Sequence, residues 1–410
     1  PEMSRGLGDV YKRQFIHCTR MEGGVSSGLV VGTQLIVISD KMRVLIFHPA
    51  LAPYRVDFFN ELGKRMNLRV VFMTRNNANQ AFNQNELLRD ATYSYGYLDR
   101  HHIIFKRNIN FGYSEEIRNF KPDIVICNEF GISLWVSYLI KLSQGKKYKL
   151  LTICDDSEDV FNNRTSLRKT VTQFFTKHIN EIICINPKVA EYYKLIGAKK
   201  TSFFPIIYKN SLFCERLKSS IPITNDYIKR FNLKGCKCLL FVGRFTVVKN
   251  LELLIKAFSL VTTESSQEIR LILVGDGELK QSLINQSKEL ELDSKVVFPG
   301  RYEGNQLLAW YNLKGSCVLI STHEPFGAVI AEALMAGMPA LVSDKVGAKC
   351  LITANNGMIC HSDNVEDIAV KMKKILDLVE PVDCVEKTND SIIPYDFDAL
   401  MDELIKNLQA

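Results

Sequence analysis

The chain has 410 residues, 46% hydrophobic and 24% charged, which is too long for one core and suits a globular protein of two ordinary domains. No run reaches the ~18 to 20 apolar residues needed to span a bilayer. The formal net charge of +7 is scattered, apart from small clusters such as Lys146-Lys147 and Lys199-Lys200, so nucleic acid, which selects a basic patch or stripe, is not an expected partner. The excess reads either as solvated surface or as attraction to anionic lipid head groups.

Residues 1–41 stand apart. Pro1 to Gln14 resembles a translated adapter or read-through more than the start of a domain, and Gly28 to Ser39 is apolar but too short to span. These residues are expected to form a leader or non-native extension without order, with Met42 as the native start, because Arg43 to Phe47 at once reads as a buried strand. Strands are then expected near Arg69 to Met73, Ile103 to Phe105, Asp123 to Cys127, Leu150 to Cys154 and Glu181 to Cys184, with helices between most of them. Pro187 suits the first turn of a helix that Gly197 ends. Phe203 onward reads as a connector, and the polar stretch around Ser219 to Lys229 as the hinge. In the second half, strands near Cys238 to Val242, Arg270 to Val274, Lys295 to Phe298, Cys317 to Ile320 and Ala340 to Ser343 alternate with helices. Leu400, Met401, Leu404, Ile405 and Leu408 form the apolar stripe of a last helix. Strands alternating with helices imply α/β domains with parallel sheets covered on both faces.

The eleven cysteines are odd in number and lack paired CxxC modules. Several sit in apolar strand-like runs and read as small core residues in a reducing compartment, with no zinc site.

Most of the chemistry sits between His323 and Pro339, where Glu324 and Glu332 are eight positions apart around a strand-to-helix turn. Phe326 and Gly327 fall where the helix begins, so an anionic group such as a diphosphate can rest on free amides and the positive end of the helix dipole. Eight helical steps rise roughly 12 Å, comparable with the reach from a hexose across a diphosphate to a ribose. Each carboxylate accepts hydrogen bonds from vicinal hydroxyls. The plainer reading is a helix with one exposed and one capping Glu.

The segment resembles the Glu-x7-Glu signature of the retaining glycosyltransferases of family 4. Phe241-Val242-Gly243-Arg244-Phe245 with Lys249-Asn250, Leu273-Val274-Gly275-Asp276-Gly277-Glu278, Val297-Phe298-Pro299-Gly300-Arg301, and Ala336 to Ser343 with Gly347 resemble further motifs of that family in order. The resemblance implies a GT-B fold of two facing Rossmann-like domains: an acceptor-side domain over 42–207, a donor-side domain over 208–394, and a last helix over 395–410 that returns to the first domain.

It also implies transfer of a sugar from a nucleotide sugar, such as a UDP- or GDP-sugar, to an acceptor hydroxyl with retention of configuration. On this reading Glu324, Arg244 and Lys249 carry catalysis. Gly243, Arg244, Lys249, Gly275, Gly277, Arg301, Tyr302, Glu324, Phe326, Gly327 and Glu332 bind the donor. Arg301 and Tyr302 either border the base or form an exposed loop pair. No Asp-x-Asp motif follows a strand, and Asp155-Asp156 are adjacent, with side chains pointing apart in an extended chain, so no metal and no other cofactor is expected. Arg244, Lys249 and the amides near Gly327 would meet the charge on the departing diphosphate.

The first domain departs from the family pattern. Instead of a Gly-rich loop it has His48-Pro49-Ala50-Leu51-Ala52-Pro53-Tyr54-Arg55, similar to a variant in some bacterial surface-polysaccharide members. Arg55 either supplies charge to a phosphate or starts a helix. Many members also have a His after the strand preceding the interdomain helices, where this chain has Cys154-Asp155-Asp156, and His48 either substitutes for it or is structural. Tyr54 is a further acceptor-side candidate. A lipid-linked or polysaccharide acceptor is expected, placing the protein in the cytoplasm, peripheral at the inner face of the membrane. Two alternatives are a nucleotide-sugar 2-epimerase-like enzyme and a catalytically silent nucleotide-sugar-binding protein.

Overall fold

Strands buried on both faces show as near-continuous apolar runs, and two parallel sheets are built from such runs here. The computed structural model describes residues 29–31, 34–36, 41–76, 82–99, 101–104, 107–145, 147–156, 164–264 and 267–410, in two compact units, Pro1–Lys41 and Met42–Ala410. In the first, Leu29–Val31 pairs antiparallel with Gln34–Ile36. Most of the expected leader lies outside the described residues.

The second unit opens with β1 (Arg43–His48), β2 (Asn67–Phe72), β3 (Ser94–Tyr97), a hairpin of β4 (His101–Ile104) and β5 (Arg107–Asn110), β6 (Ile124–Asn128), β7 (Lys149–Cys154), β8 (Glu181–Cys184) and β9 (Thr201–Phe203). Seven of these form a sheet in the order β9-β8-β7-β6-β1-β2-β3, every pair parallel. Its helices are α1 (Pro53–Arg65), α2 (Gln84–Leu87), α3 (Tyr113–Phe120), α4 (Ile132–Ser143), α5 (Ser166–His178) and α6 (Pro187–Leu195). Alternation along β1 sends Val44 and Ile46 into one core and Leu45 and Phe47 into another, so both faces are covered.

The second sheet comprises β10 (Lys237–Val242), β11 (Ile269–Val274), β12 (Val296–Gly300), β13 (Ser316–Leu319), β14 (Ala340–Ser343) and β15 (Gly357–Cys360), ordered β12-β11-β10-β13-β14-β15 and all parallel. Its helices are α7 (Asn210–Arg230), α8 (Leu251–Glu264), α9 (Lys280–Glu289), α10 (Gly304–Tyr311), α11 (Ala328–Met335) and α12 (Val365–Leu376), and the chain ends with α13 (Phe397–Gln409).

The expected hinge at Ser219 to Lys229 is instead the body of α7. Its buried stripe runs through Phe213, Leu217, Ser220, Thr224, Tyr227 and Ile228, and the two small polar members are satisfied: Asn312 Nδ2 donates to Ser220 Oγ at 2.9 Å, and Thr224 Oγ1 donates to the Ala309 carbonyl at 2.8 Å. Pro222 lies on the exposed side of the helix, where water can meet the carbonyl its missing amide leaves free.

Helix α13 lies against the first sheet's domain. Phe397 packs edge-on to Phe204, Arg65 pairs with Asp402, and Lys200 Nζ donates to the Asn407 carbonyl at 3.1 Å. Near it the buried Asp57 of α1 accepts from Arg216 Nη2 of α7 at 2.7 Å. All the described cysteines are free thiols, and most are buried on strands. Among the described residues no helix is long and apolar enough to cross a membrane.

Candidate functional site

In open parallel sheets ligands sit beyond the carboxyl ends of the strands, where the strand order reverses. The second sheet reverses between β10 and β13, and the first between β1 and β6. Arg244 follows β10, Glu324 follows β13, His48 ends β1 and Glu129 follows β6, so the two reversals supply the chemistry of both walls.

On the second wall the turns after β10 and β11 are packed backbone to backbone. A Cβ on Gly275 would lie 1.9 Å from the Gly243 carbonyl oxygen, so only glycine lets these turns close. A Cβ on Gly277 would lie 2.5 Å from the Phe245 carbonyl oxygen. Arg244 is exposed and has no ion-pair partner among the described residues. Lys249 ends a short 3-10 turn, and the next residue, Asn250, is left-handed with φ 59°. Asn250 Nδ2 donates to the Ser362 carbonyl at 2.7 Å and to the Ile320 carbonyl at 3.4 Å, fixing this turn against the end of β13.

Lys249 Nζ pairs with Glu324 Oε2, both half-buried. The Glu324 backbone is held by its amide to the Lys345 carbonyl at 3.2 Å and by its carbonyl to the Gly347 amide at 2.9 Å. Gly327, at φ 93°, is the N-cap of α11, and a Cβ there would press into Leu319 at 2.8 Å. The Phe326 side chain is buried, while among the described residues the amides of Phe326 and Gly327 donate to no protein acceptor. Those amides and the first turn of α11 are the kind of unpaired donors that an anionic group can meet.

The two Glu residues do not share one helix face as a continuous helical span would place them, because the helix begins at Ala328 and covers only the last four of the eight steps. Glu332 accepts from Tyr208 OH at 2.5 Å and from Tyr311 OH at 2.6 Å. Burial holds its carboxyl above the usual range, against the lowering effect of the two phenols, and burial together with Glu332 holds both tyrosines well above theirs. Arg301 pairs with Glu303, and Tyr302 packs against Tyr227 and Trp310, ring centroids 5.3 and 5.7 Å away. Neither shares a hydrogen bond or ion pair with Arg244, Lys249 or Glu324 among the described residues.

On the first wall, Arg55 is buried and pairs with Asp155 at 2.6 Å. Asp156 accepts from Arg164 Nη2 at 2.6 Å and from Tyr193 OH at 2.7 Å, so the two adjacent aspartates go to different partners. His48 is buried, its Nδ1 3.0 Å from the Ala50 carbonyl, and burial with the nearby Arg55 lowers its pKa to about 4. His48 Nε2 and Asn128 Oδ1, at the carboxyl ends of neighbouring strands, are buried polar atoms with no partner among the described residues. Burial, then Asp155, raises the Tyr54 phenol, and Glu324 adds to the rise from the other wall.

A crevice of about 220 Å³ lined by Glu129, Asp155, Asp156, Arg164, Thr165 and Arg168 is completed by Pro325 of the second domain. Asn186 Nδ2 donates to the Gly347 carbonyl at 3.3 Å and ties the two walls together. Glu129 holds φ 54°, an uncommon backbone for a residue with a side chain. Glu129 remains exposed on its solvent side, and desolvation on its crevice side, with Asp156 and Asp155, pushes its carboxyl up to about 7. Sequence reasoning missed Glu129, Arg164, Asn186, Tyr208 and Tyr311. Glu129 alone carried a signal, as an acidic residue directly after an apolar strand. Among the described residues no cluster of three or more His, Cys, Asp or Glu side chains is placed to hold a metal ion.

Residues 225–389 match the family described as glycosyl transferases group 1. That segment contains Arg244, Lys249, Glu324 and Glu332. An uncharacterized glycosyltransferase of Methanocaldococcus jannaschii is 33% identical over 141 residues, 34% of this chain and 36% of that protein. An alpha-1,3/1,6-mannosyltransferase of Dictyostelium discoideum is 25% identical over 289 residues, 62% of this chain and 67% of that protein. The chain thus spans between about a third and two thirds of the length of these relatives. The solved structure of Anabaena HepE in complex with UDP superposes with a TM-score of 0.68 at 15% identity, covering 90% of this chain and all of that one. The paired parallel sheets are the GT-B fold.

Proposed function

We propose that the chain is a retaining, metal-independent glycosyltransferase of family 4 type, moving a sugar from a nucleotide sugar to an acceptor hydroxyl in glycan, polysaccharide or glycolipid synthesis. The observation that carries this reading is the Lys249–Glu324 pair, which joins the turn that carries Arg244 to the turn whose Phe326 and Gly327 amides have no protein acceptor among the described residues. The diphosphate rests on Arg244, Lys249 and the α11 amides, donors fixed before the reaction and aimed at the charge that grows as the sugar departs. Glu324 accepts from the sugar hydroxyls. The acceptor oxygen bonds to the anomeric carbon as the bond to the phosphate oxygen breaks, and that oxygen takes the acceptor proton on the same face. UDP in the Anabaena complex supports uridine donors as the first to try, with GDP-sugars next.

Glu332 serves the ribose through whatever acceptor capacity its tyrosine bonds leave, and Gly243, Gly275 and Gly277 shape the nucleoside turn. The acceptor enters the crevice at Glu129, Asp155 and Arg168, which suits a polyol because both carboxylate and guanidinium groups line it. Arg55, already paired, holds Asp155 in place for that acceptor. We place the protein in the cytoplasm, peripheral at the inner face of the membrane, with a lipid-linked or polysaccharide acceptor.

The test is transfer from UDP- and GDP-sugars to simple glycoside acceptors, followed by NMR of the product's anomeric proton. The expected product keeps the donor's anomeric configuration, and an inverted product, or an isomerised sugar released without any acceptor, rules the reading out.

A further inference from the structure

We propose that the outer face of α4 and α5 docks on an anionic lipid bilayer. On α4, Ile132, Trp135, Leu139 and Leu142 are all exposed and recur at helical spacing along one side, with Leu139 at 60% and Leu142 at 61% exposure. On α5, Leu167 is 75% exposed and Phe174 lies one face-repeat further along. The two helices are joined through Trp135–Phe175 and Tyr138–Phe174 ring contacts at 5.5 and 5.8 Å, so their exposed apolar residues form one surface. A contiguous apolar surface of this kind marks a partner, because scattered single residues would need none.

Charge identifies the partner. Neither helix contains an Asp or Glu, whereas α5 exposes Arg168, Lys169 and Lys177 and α4 carries Lys141. Aromatic and aliphatic residues on two helices that carry cations and no acid suit the boundary of an anionic leaflet, where each Lys or Arg gains from the negative surface potential. A twofold self-association through these helices would set their like charges against one another, with no acid on either helix to offset them.

The surface also starts where the acceptor crevice opens. Ile132 lies three residues past Glu129, and Leu167 two past Thr165, both of which line the crevice. On the glycosyltransferase reading, a bilayer held on this face presents a lipid-linked saccharide directly to Glu129. Docking itself requires no transfer, so the two readings fail separately.

The test is sedimentation of the full chain with vesicles of phosphatidylcholine alone or phosphatidylcholine mixed with phosphatidylglycerol. Binding is expected only with phosphatidylglycerol, and is expected to weaken as ionic strength shortens the screening length from ~10 Å toward ~3 Å. Leu139→Glu with Leu142→Glu should abolish it, and Lys177→Glu, three residues past Phe174 on the same side of α5, should weaken it about fivefold or more. Unchanged near-ultraviolet circular dichroism confirms that each variant folds. No binding to the anionic vesicles at low salt, equal binding to both vesicle types, or a lipid-free dimer that the leucine variants convert to monomer would each overturn the proposal.

Discussion

Lys249 and Glu324 are joined by a half-buried ion pair that links the turn after β10 to the turn after β13, the two strands at which the second sheet reverses order. The pair holds a carboxylate where a donor sugar is expected and a cation where its diphosphate is expected. Glu324→Gln keeps the size and removes the charge. Transfer should fall about a hundredfold or more, the scale of losing one preorganised electrostatic group, while nucleotide affinity stays near the parent's. Initial rates and calorimetric titration with nucleotide measure the two effects separately.

Arg244, past the end of β10, is exposed and has no ion-pair partner among the described residues, so its removal leaves no buried charge behind and reads out ligand contact alone. Arg244→Ala should lower nucleotide affinity and kcat/KM together by roughly tenfold to a hundredfold, the worth of about 1.5 to 3 kcal/mol for a hydrogen bond to a charged group. Thermal unfolding without ligand should stay at the parent's temperature.

Glu332 is gripped by Tyr208 and Tyr311, which come from the start of α7 and the end of α10. Tyr311→Phe strips one donor from a carboxylate in a desolvated place and should cost about 1 to 3 kcal/mol of stability. A lower urea midpoint at unchanged slope is the expected signature.

How much of this was open to sequence reasoning depends on burial. β1, β6, β7, β10, β11 and β14 were legible because central parallel strands are mostly apolar runs. β3, β9 and β15 were not, because edge strands such as Ser94–Tyr97 and Thr201–Phe203 alternate with polar residues and pair on one side only. The body of α7 looked like a hinge because Ser220 and Thr224 occupy core positions through hydrogen bonds that no apolar pattern records. In the site, Arg244, Lys249, Glu324 and Gly327 follow strand ends and could be found by position. The Lys249–Glu324 pairing, the tyrosine clamp on Glu332 and the Arg55–Asp155 pair join residues far apart in the chain, and nothing local announces them.

The raised Glu129 carboxyl gives a pH signature. A carboxyl whose folded pKa of about 7 lies above its unfolded value binds protons more tightly when folded, so stability falls as pH rises from about 4.5 to about 7. Relative to Glu129→Gln, the parent should lose stability across that window and change little above it. Chemical-denaturation curves at stepped pH check the sign, and a pH-independent difference would mean that Glu129 titrates normally.

The central claim is that the cleft holds a nucleotide diphosphate through Lys249, Arg244 and the tip of α11. Its most direct measurement is thermal stabilisation of the parent and of Lys249→Ala by a panel of UDP- and GDP-sugars. At a ligand concentration about a hundred times its dissociation constant, the parent should gain about 2.7 kcal/mol with at least one donor and the variant markedly less. Stabilisation of neither protein by any nucleotide sugar, or of both to the same extent, would contradict it.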